Sequence, residues 1–150
     1  MTGTARSAAE SGAGEIRCAG RVLVPGEAEG RVLLLRAPVS LWGGVDPASG
    51  RISDPRHPDC GVEVAGRVLA VPDTVGSSSS SAVMLELLRE GTTPVALLLG
   101  RADAIVALGV LVAGELGYAT IPVLEVPGEQ LARLAERRVT VARDGTVLGR

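Results

Sequence analysis

Gly76-Ser77-Ser78-Ser79-Ser80-Ser81 runs straight into Ala82-Val83-Met84-Leu85-Glu86-Leu87-Leu88, and this stretch decides how the chain is read. The spacing predicts a hydroxyl-rich loop feeding an amphipathic helix from about Ser79 to Glu90. Val83 and Leu87, with Met84 and Leu88, share one side of it at i, i+4 spacing. The first turn of a helix carries unpaired N–H groups and a partial positive charge, which favour anions. Serine hydroxyls added there make a cradle for a carboxylate or phosphate. A serine so placed can act as a base if its alkoxide is stabilised. The same letters also describe a flexible serine linker or a set of redundant N-caps. Ordered-looking apolar sequence on both sides, Val68-Leu69-Ala70-Val71-Pro72 before and the helix after, favours the loop.

Before the loop, the pattern is mostly strand. Cys18 to Val24 reads as a strand, Pro25-Gly26-Glu27 as a turn, Gly30 to Leu35 as a strand and Val62 to Pro72 as another. Gly-Arg-Val-Leu recurs at Gly20, Gly30 and Gly66, either marking related strand starts or arising by chance in a chain rich in these residues. Pro38 to Pro58 is a long connection holding the single Trp, the single His, Asp46 and Asp54. Such a connection is either functional or a proline-fixed cover for one end of the sheet.

After the loop, helix and strand alternate. Gly91 is expected to stop the first helix. Pro94 to Leu99 is an all-apolar strand, and Ala102 to Leu116 is a second helix read with Ile105, Leu108, Val112 and Leu116 inward. Thr120 to Val126 is a strand. Pro127 opens a short helix through Ala135, and Asp144-Gly145 turns a closing hairpin. Strands first, then alternation, predict an α/β domain of layered β/β/α type with a mixed sheet and flanking helices. Residues 1–14 read as a disordered tail and 15–150 as the domain.

Composition narrows the chemistry. Apolar residues make up 46% of the 150 but aromatics only 1%, so the core must come from Val, Leu, Ile and Ala. The net charge of −2 and the absence of a basic tract argue against nucleic acid. Every basic residue is Arg, which excludes a Schiff-base or P-loop lysine. One His and two distant Cys cannot build a multi-histidine or four-cysteine metal centre, so a metal would come from another chain. Free thiols and no apolar run of spanning length point to a soluble, cytoplasmic protein. With one His and no Gly-x-Ser-x-Gly elbow, a stand-alone hydrolase is not expected. A half-site completed by a partner fits better.

Ser40-Leu41-Trp42-Gly43-Gly44-Val45-Asp46-Pro47, then Gly50, Ile52, Asp54, His57-Pro58, Gly61, Gly66-Arg67-Val68-Leu69 and Gly76-Ser77, resembles the swivel domain of aconitase X. Leu108 to Ala113 and Ile121-Pro122-Val123 extend the resemblance, which covers about residues 18–126. It implies a swivelling β/β/α domain, fused to a large part in some members and a separate small subunit in others. It implies a hydro-lyase, active only with a large catalytic subunit that holds an iron–sulfur cluster or iron. The activities it implies are dehydration of cis-3-hydroxy-L-proline or of mevalonate 5-phosphate. By position Ser77 is the base, with N–H donors at Ser78 and Ser79, and Ser81 binds substrate. Trp42, Asp46 and His57 complete the expected substrate-binding set. Ser79 stands where the wider aconitase loop has an Arg, and Asp73-Thr74-Val75 lacks the expected basic residues. That disfavours a phosphorylated substrate, unless Arg56 or Arg67 compensates rather than serving as ordinary surface residues. Exposed Leu41, Trp42 and Val45 would mark an interface. A non-catalytic binding or regulatory subunit with the same fold is the alternative of a different class.

Overall fold

The two outermost strands of the sheet are consecutive in the chain. β1 (Ile16–Ala19) and β2 (Arg21–Val24) are parted only by Gly20, yet β1 pairs with β10 (Thr146–Gly149) and β2 with β8 (Val123–Glu125). The expected Cys18–Val24 strand is therefore two strands with different partners. The order β1-β10-β9-β3-β6-β7-β8-β2 gives an eight-stranded mixed sheet whose two ends meet at Gly20. The computed structural model describes residues 14–150. The tail expected over 1–14 lies, Gly14 apart, outside the described residues.

β3 (Ala28–Leu34), β6 (Val68–Val71), β7 (Ala96–Leu99) and β8 run parallel. β9 (Arg138–Val141) joins β3 antiparallel and forms the closing hairpin with β10. At the hairpin turn Gly145 holds φ 94°, where an L side chain would be strained. Two of the repeated tetrapeptides lie side by side: Val32 pairs with Val68 and Leu33 with Leu69. Gly66 precedes β6, but Gly30 lies inside β3, so the repeat marks a shared register and not a set of strand starts.

Alternate residues of the parallel strands enter two cores. Val68 and Ala70, with Ala96 and Leu98, join Val32, Leu124, Val139 and Val147 inside the curled sheet, closed by Leu131 and Leu134 of α4 (Gly128–Leu134). Leu69, Val71, Leu97 and Leu99 face the other way, against α2 (Ser80–Glu90) and α3 (Ala104–Glu115). This two-sided burial explains the unbroken apolar runs. Each fully buried Leu or Val contributes about 1.5–3 kcal/mol.

Two further expectations need correction. Val62 to Arg67 is not strand: Val62 O accepts from Ile52 N, 2.9 Å, and Val64 N donates to Gly50 O, 2.7 Å. Those groups are spent on the long connection, not on the sheet. The connection itself is ordered, with a broken turn α1 (Leu41–Gly44) and a small hairpin of β4 (Val45–Asp46) and β5 (Arg51–Ile52).

The second correction concerns α3. Its buried residues are Val106, Ala107, Gly109, Val110 and Ala113. Leu108 is 52% exposed and Leu116 62%, and Leu111 and Val112 also face outward. The helix packs its small residues inward because α2 approaches closely: a Cβ on Gly109 would lie 2.6 Å from Ser81 O and 2.9 Å from Met84 Cβ. On α2 the expected face, Val83, Met84, Leu87 and Leu88, is the buried one, and the helix ends at Gly91 with φ 74°.

Candidate functional site

Parallel pairing continues past the ends of β3 and β6. Val39 N donates to Asp73 O at 3.4 Å and Val75 N to Val39 O at 3.0 Å. The Ser40–Trp42 segment and the serine loop therefore leave the sheet as neighbours, at the carboxyl ends of parallel strands, where open α/β sheets hold ligands.

The loop closes on itself. Ser77 O accepts Ser80 N at 3.0 Å, and Ser77 Oγ accepts the Ser79 N–H at 3.2 Å. Ser81 Oγ donates to Ser78 O at 3.0 Å. Ser79 is the N-cap, but its backbone is helical and its side chain makes no capping bond. The run is thus not a set of redundant caps. Ser77 is half-buried, Ser78 exposed and Ser80 buried. An N–H aimed at Ser77 Oγ, at the positive end of an eleven-residue helix, stabilises negative charge on that oxygen.

A groove of about 630 Å³ runs beside α2. Trp42, Gly43, Val45, Asp46, Pro47 and Ser53 form one wall, and Ala82, Val83 and Glu86 the other. The structure thus brings Trp42 and Asp46 together with the start of the serine helix. Trp42 is 62% exposed over this groove, whereas Leu41 and Val45 are buried in the core beneath it. Of the three residues expected to mark an interface, only Trp42 is on the surface. The Asp46 carboxylate accepts Ser49 Oγ at 2.8 Å and Ala48 N at 3.1 Å, which holds it below the usual carboxylate range. Ser81 faces a second, smaller groove with Ala82, Leu85, Leu108, Gly109 and Val112.

His57 is elsewhere. It is 8% exposed, its Nε2 lies 3.1 Å from Ala37 O, and its Nδ1 accepts Asp59 N at 2.9 Å. That pairing places the proton on Nε2 and commits both ring nitrogens to the chain's own backbone. Asp59, also buried, accepts Arg36 N and Arg36 Nε, each at 2.8 Å, and Arg36 also donates to Pro58 O. Burial pushes the Asp59 carboxyl up, but the Arg36 N–H and guanidinium outweigh it and hold the carboxyl low. This clasp, fastening residues 57–60 to the end of β3, has no sequence signature beyond a histidine two residues before an aspartate.

Neither arginine offered as compensation reaches the loop. Arg56 turns back on Asp54, 3.4 Å, and Arg67 donates to Arg31 O and Val32 O. Three contacts instead stitch residues 100–103 to 72–74. Gly100 lies so close to Pro72 that a Cβ would collide with its carbonyl. Arg101 Nη1 lies 3.9 Å from Asp73 Oδ2, and Thr74 Oγ1 donates to Asp103 Oδ2 at 2.5 Å. The other Asp103 oxygen caps α3 through Ile105 N and Val106 N.

Among the described residues no three His, Cys, Asp or Glu side chains gather closely enough to hold a metal ion. No helix there is long and apolar enough to cross a membrane.

The sequence model of the aconitase X swivel domain matches residues 17–148. A cis-3-hydroxy-L-proline dehydratase of Pseudomonas aeruginosa is 41% identical over 131 residues, 83% of this chain and 23% of that protein. The phosphomevalonate dehydratase small subunit of Methanothermobacter thermautotrophicus is 36% identical over 87% of this chain and 93% of its own length. The chain thus spans about a quarter of the bacterial dehydratase and nearly all of the archaeal subunit. A crystal structure of Thermococcus kodakaraensis aconitase X in its holo form superposes with a TM-score of 0.79 at 33% identity, covering 90% of this chain and 98% of that one.

Proposed function

Because this chain belongs to the aconitase X swivel-domain family, we propose that it is the small subunit of a two-subunit hydro-lyase that dehydrates a hydroxy acid, cis-3-hydroxy-L-proline foremost. The observation that carries the reading is the N–H of Ser79 directed at Ser77 Oγ where α2 begins. An unperturbed serine is far too weak a base to take a proton from carbon. The N–H and the helix terminus lower the cost of the alkoxide. In this reading Ser77 Oγ takes the proton from the carbon next to the substrate carboxylate. Ser78 and Ser79 line the anion side and Trp42 with Asp46 bounds the far side, while Ser81, expected to bind substrate, keeps its hydroxyl on Ser78 O and faces the Leu108 groove. His57 serves through its clasp, since neither ring nitrogen is available to a ligand.

In this reading the large catalytic partner holds the iron–sulfur cluster or iron, as kinship with the aconitase X family implies. The chemistry such a centre supplies when bound is Lewis-acid activation of the departing hydroxyl. The outward Leu108, Leu111, Val112 and Leu116 support a partner, for they form an apolar face beside the serine helix that none of the described residues covers. Two free cysteines, Cys18 buried and Cys60 exposed, fit a reducing cytoplasm.

One observation favours a second reading, the small subunit of a mevalonate 5-phosphate dehydratase: the near-complete coverage of the archaeal small subunit. Against it stands the scarcity of cations at the loop, which a phosphate dianion would need.

The test is co-expression of this chain with its genetic neighbours, followed by native mass, iron content and turnover of both compounds. An iron-containing complex that dehydrates cis-3-hydroxy-L-proline is the expected outcome. Turnover of mevalonate 5-phosphate alone moves the assignment to the second reading. A complex that turns over neither compound, or a chain that stays alone, leaves a binding or regulatory subunit.

A further inference from the structure

A dehydration that starts by removing the proton beside a carboxylate loads negative charge onto that carboxylate. Its binding site therefore needs a cation within reach of the base. The serine loop has none of its own. At this end of the sheet Arg36 is committed to Asp59 at 2.8 Å and Arg56 to Asp54, while Arg67 lies at the opposite end, just before β6, and donates to two backbone carbonyls. Arg101 differs. Its nearest carboxylate, Asp73 Oδ2, stands 3.9 Å away, beyond hydrogen-bond distance, and the side chain is 78% exposed.

Its backbone is nevertheless fixed. Gly100 is pressed against the Pro72 carbonyl on one side, and Asp103 is bonded to Thr74 on the other. Arg101 is therefore held level with Asp73, four residues ahead of Ser77, at the carboxyl end of β7 and just before the N-terminus of α3. A rigid backbone with an uncommitted planar donor set suits a carboxylate, which a guanidinium can grip with two parallel N–H···O bonds.

We infer that Arg101 is the residue that binds the substrate carboxylate, supplied from the β7–α3 junction in place of a cation in the serine loop. The inference rests on the hydro-lyase reading above. It does not depend on which compound is the substrate, since both carry a carboxylate.

The experiment uses the complex with its large subunit. Kd is measured by calorimetry for cis-3-hydroxy-L-proline and for mevalonate 5-phosphate on a Ser77→Ala background, which prevents turnover, with and without Arg101→Gln or Arg101→Lys. Steady-state kinetics follow on the Ser77 enzyme. Arg101→Gln is expected to weaken binding of the true substrate roughly 10- to 100-fold. KM should rise by a similar factor with unchanged thermal stability, and Arg101→Lys should recover part of the loss. A merely structural role would lower stability and leave the KM-to-kcat split alone. Unchanged Kd in Arg101→Gln, with Ser77→Ala inactive, overturns this inference and leaves the hydro-lyase reading standing. Full turnover in Ser77→Ala overturns the base assignment instead, and the KM comparison between the Arg101 variants then decides Arg101. Binding of neither compound to the unsubstituted complex overturns both.

Discussion

Ser79 donates its backbone N–H to the hydroxyl oxygen of Ser77 across 3.2 Å. The contact lies at the first turn of α2, so the peptide dipoles of the helix add to it. A serine oxygen that accepts such a bond is better able to carry charge than one donating into solvent. Ser77→Ala removes the oxygen and leaves the turn, because the Ser80 N to Ser77 O bond is made by backbone. The expected result is a loss of turnover of roughly a hundred- to ten-thousand-fold with assembly intact. Steady-state assays of the complex, with native mass as the control, check it. Normal turnover would remove Ser77 as the base.

The start of α2 is held by α3. A methyl group on Gly109 would meet the Ser81 carbonyl at 2.6 Å, and backbone cannot yield as a flexible side chain can. Gly109→Ala is expected to cost about 1–3 kcal/mol by overpacking. That corresponds to a fall in Tm of about 2–4 °C for each kcal/mol in a chain of this size. Turnover should fall with it, since the shift is felt at Ser81, in the same turn as the serine cradle. Thermal melts and activity of the same preparation test this. A variant of full stability and reduced activity would show that the strain is local to the loop.

Leu108 and Leu111 face outward on α3, and Leu108 shares a groove with Ser81 and Ala82. An apolar face this close to the cradle is where a partner completing the pocket would rest. A Leu108→Glu, Leu111→Glu double variant is expected to leave the isolated chain within about 0.5 kcal/mol of its stability. Its affinity for the large subunit should drop by about tenfold or more, because two charges would need desolvation at the contact. Analytical ultracentrifugation of mixed subunits decides it. Unchanged assembly would place the partner on another face, the Trp42 groove being next.

The order of strands and helices after the serine loop was readable from apolar runs, capping glycines and the Asp144-Gly145 turn, since those signals are local. The facing of α3 was not. Between Asp103 and Glu115 it has no charged residue, so periodicity could not tell inside from outside. What chose the buried side was the size of Ala107, Gly109 and Ala113 against the backbone of α2, a tertiary condition. The split of Cys18–Val24 was hidden because each half is a normal strand and only long-range pairing separates them. At the proposed site, Ser77 and the Trp42–Asp46 segment stand out in the sequence, whereas Arg101 does not. Its place beside Asp73 comes from the alignment of β6 with β7 and from Gly100, twenty-eight positions beyond Pro72.

The clasp at the end of β3 makes stability depend on pH in a definite sense. Asp59 is buried, and the Arg36 N–H and guanidinium hold its carboxyl below the ordinary value against the upward push of burial. A carboxyl depressed in the folded state contributes stability that is fully present above its unfolded pKa of about 3.9. That stability is lost as pH falls through the folded value. Asp59→Asn keeps the shape but removes the charge and turns an NH2 group toward a donor. It is expected to cost about 1–3 kcal/mol at neutral pH. The gap between the two proteins should narrow as pH drops below about 4, where the native carboxyl also becomes neutral. Urea unfolding at neutral pH, near pH 5 and near pH 3 measures it. A gap that does not change with pH would mean that Asp59 acts through shape and not charge. The hold of Arg36 on residues 57–60 would then rest on its bond to the Pro58 carbonyl.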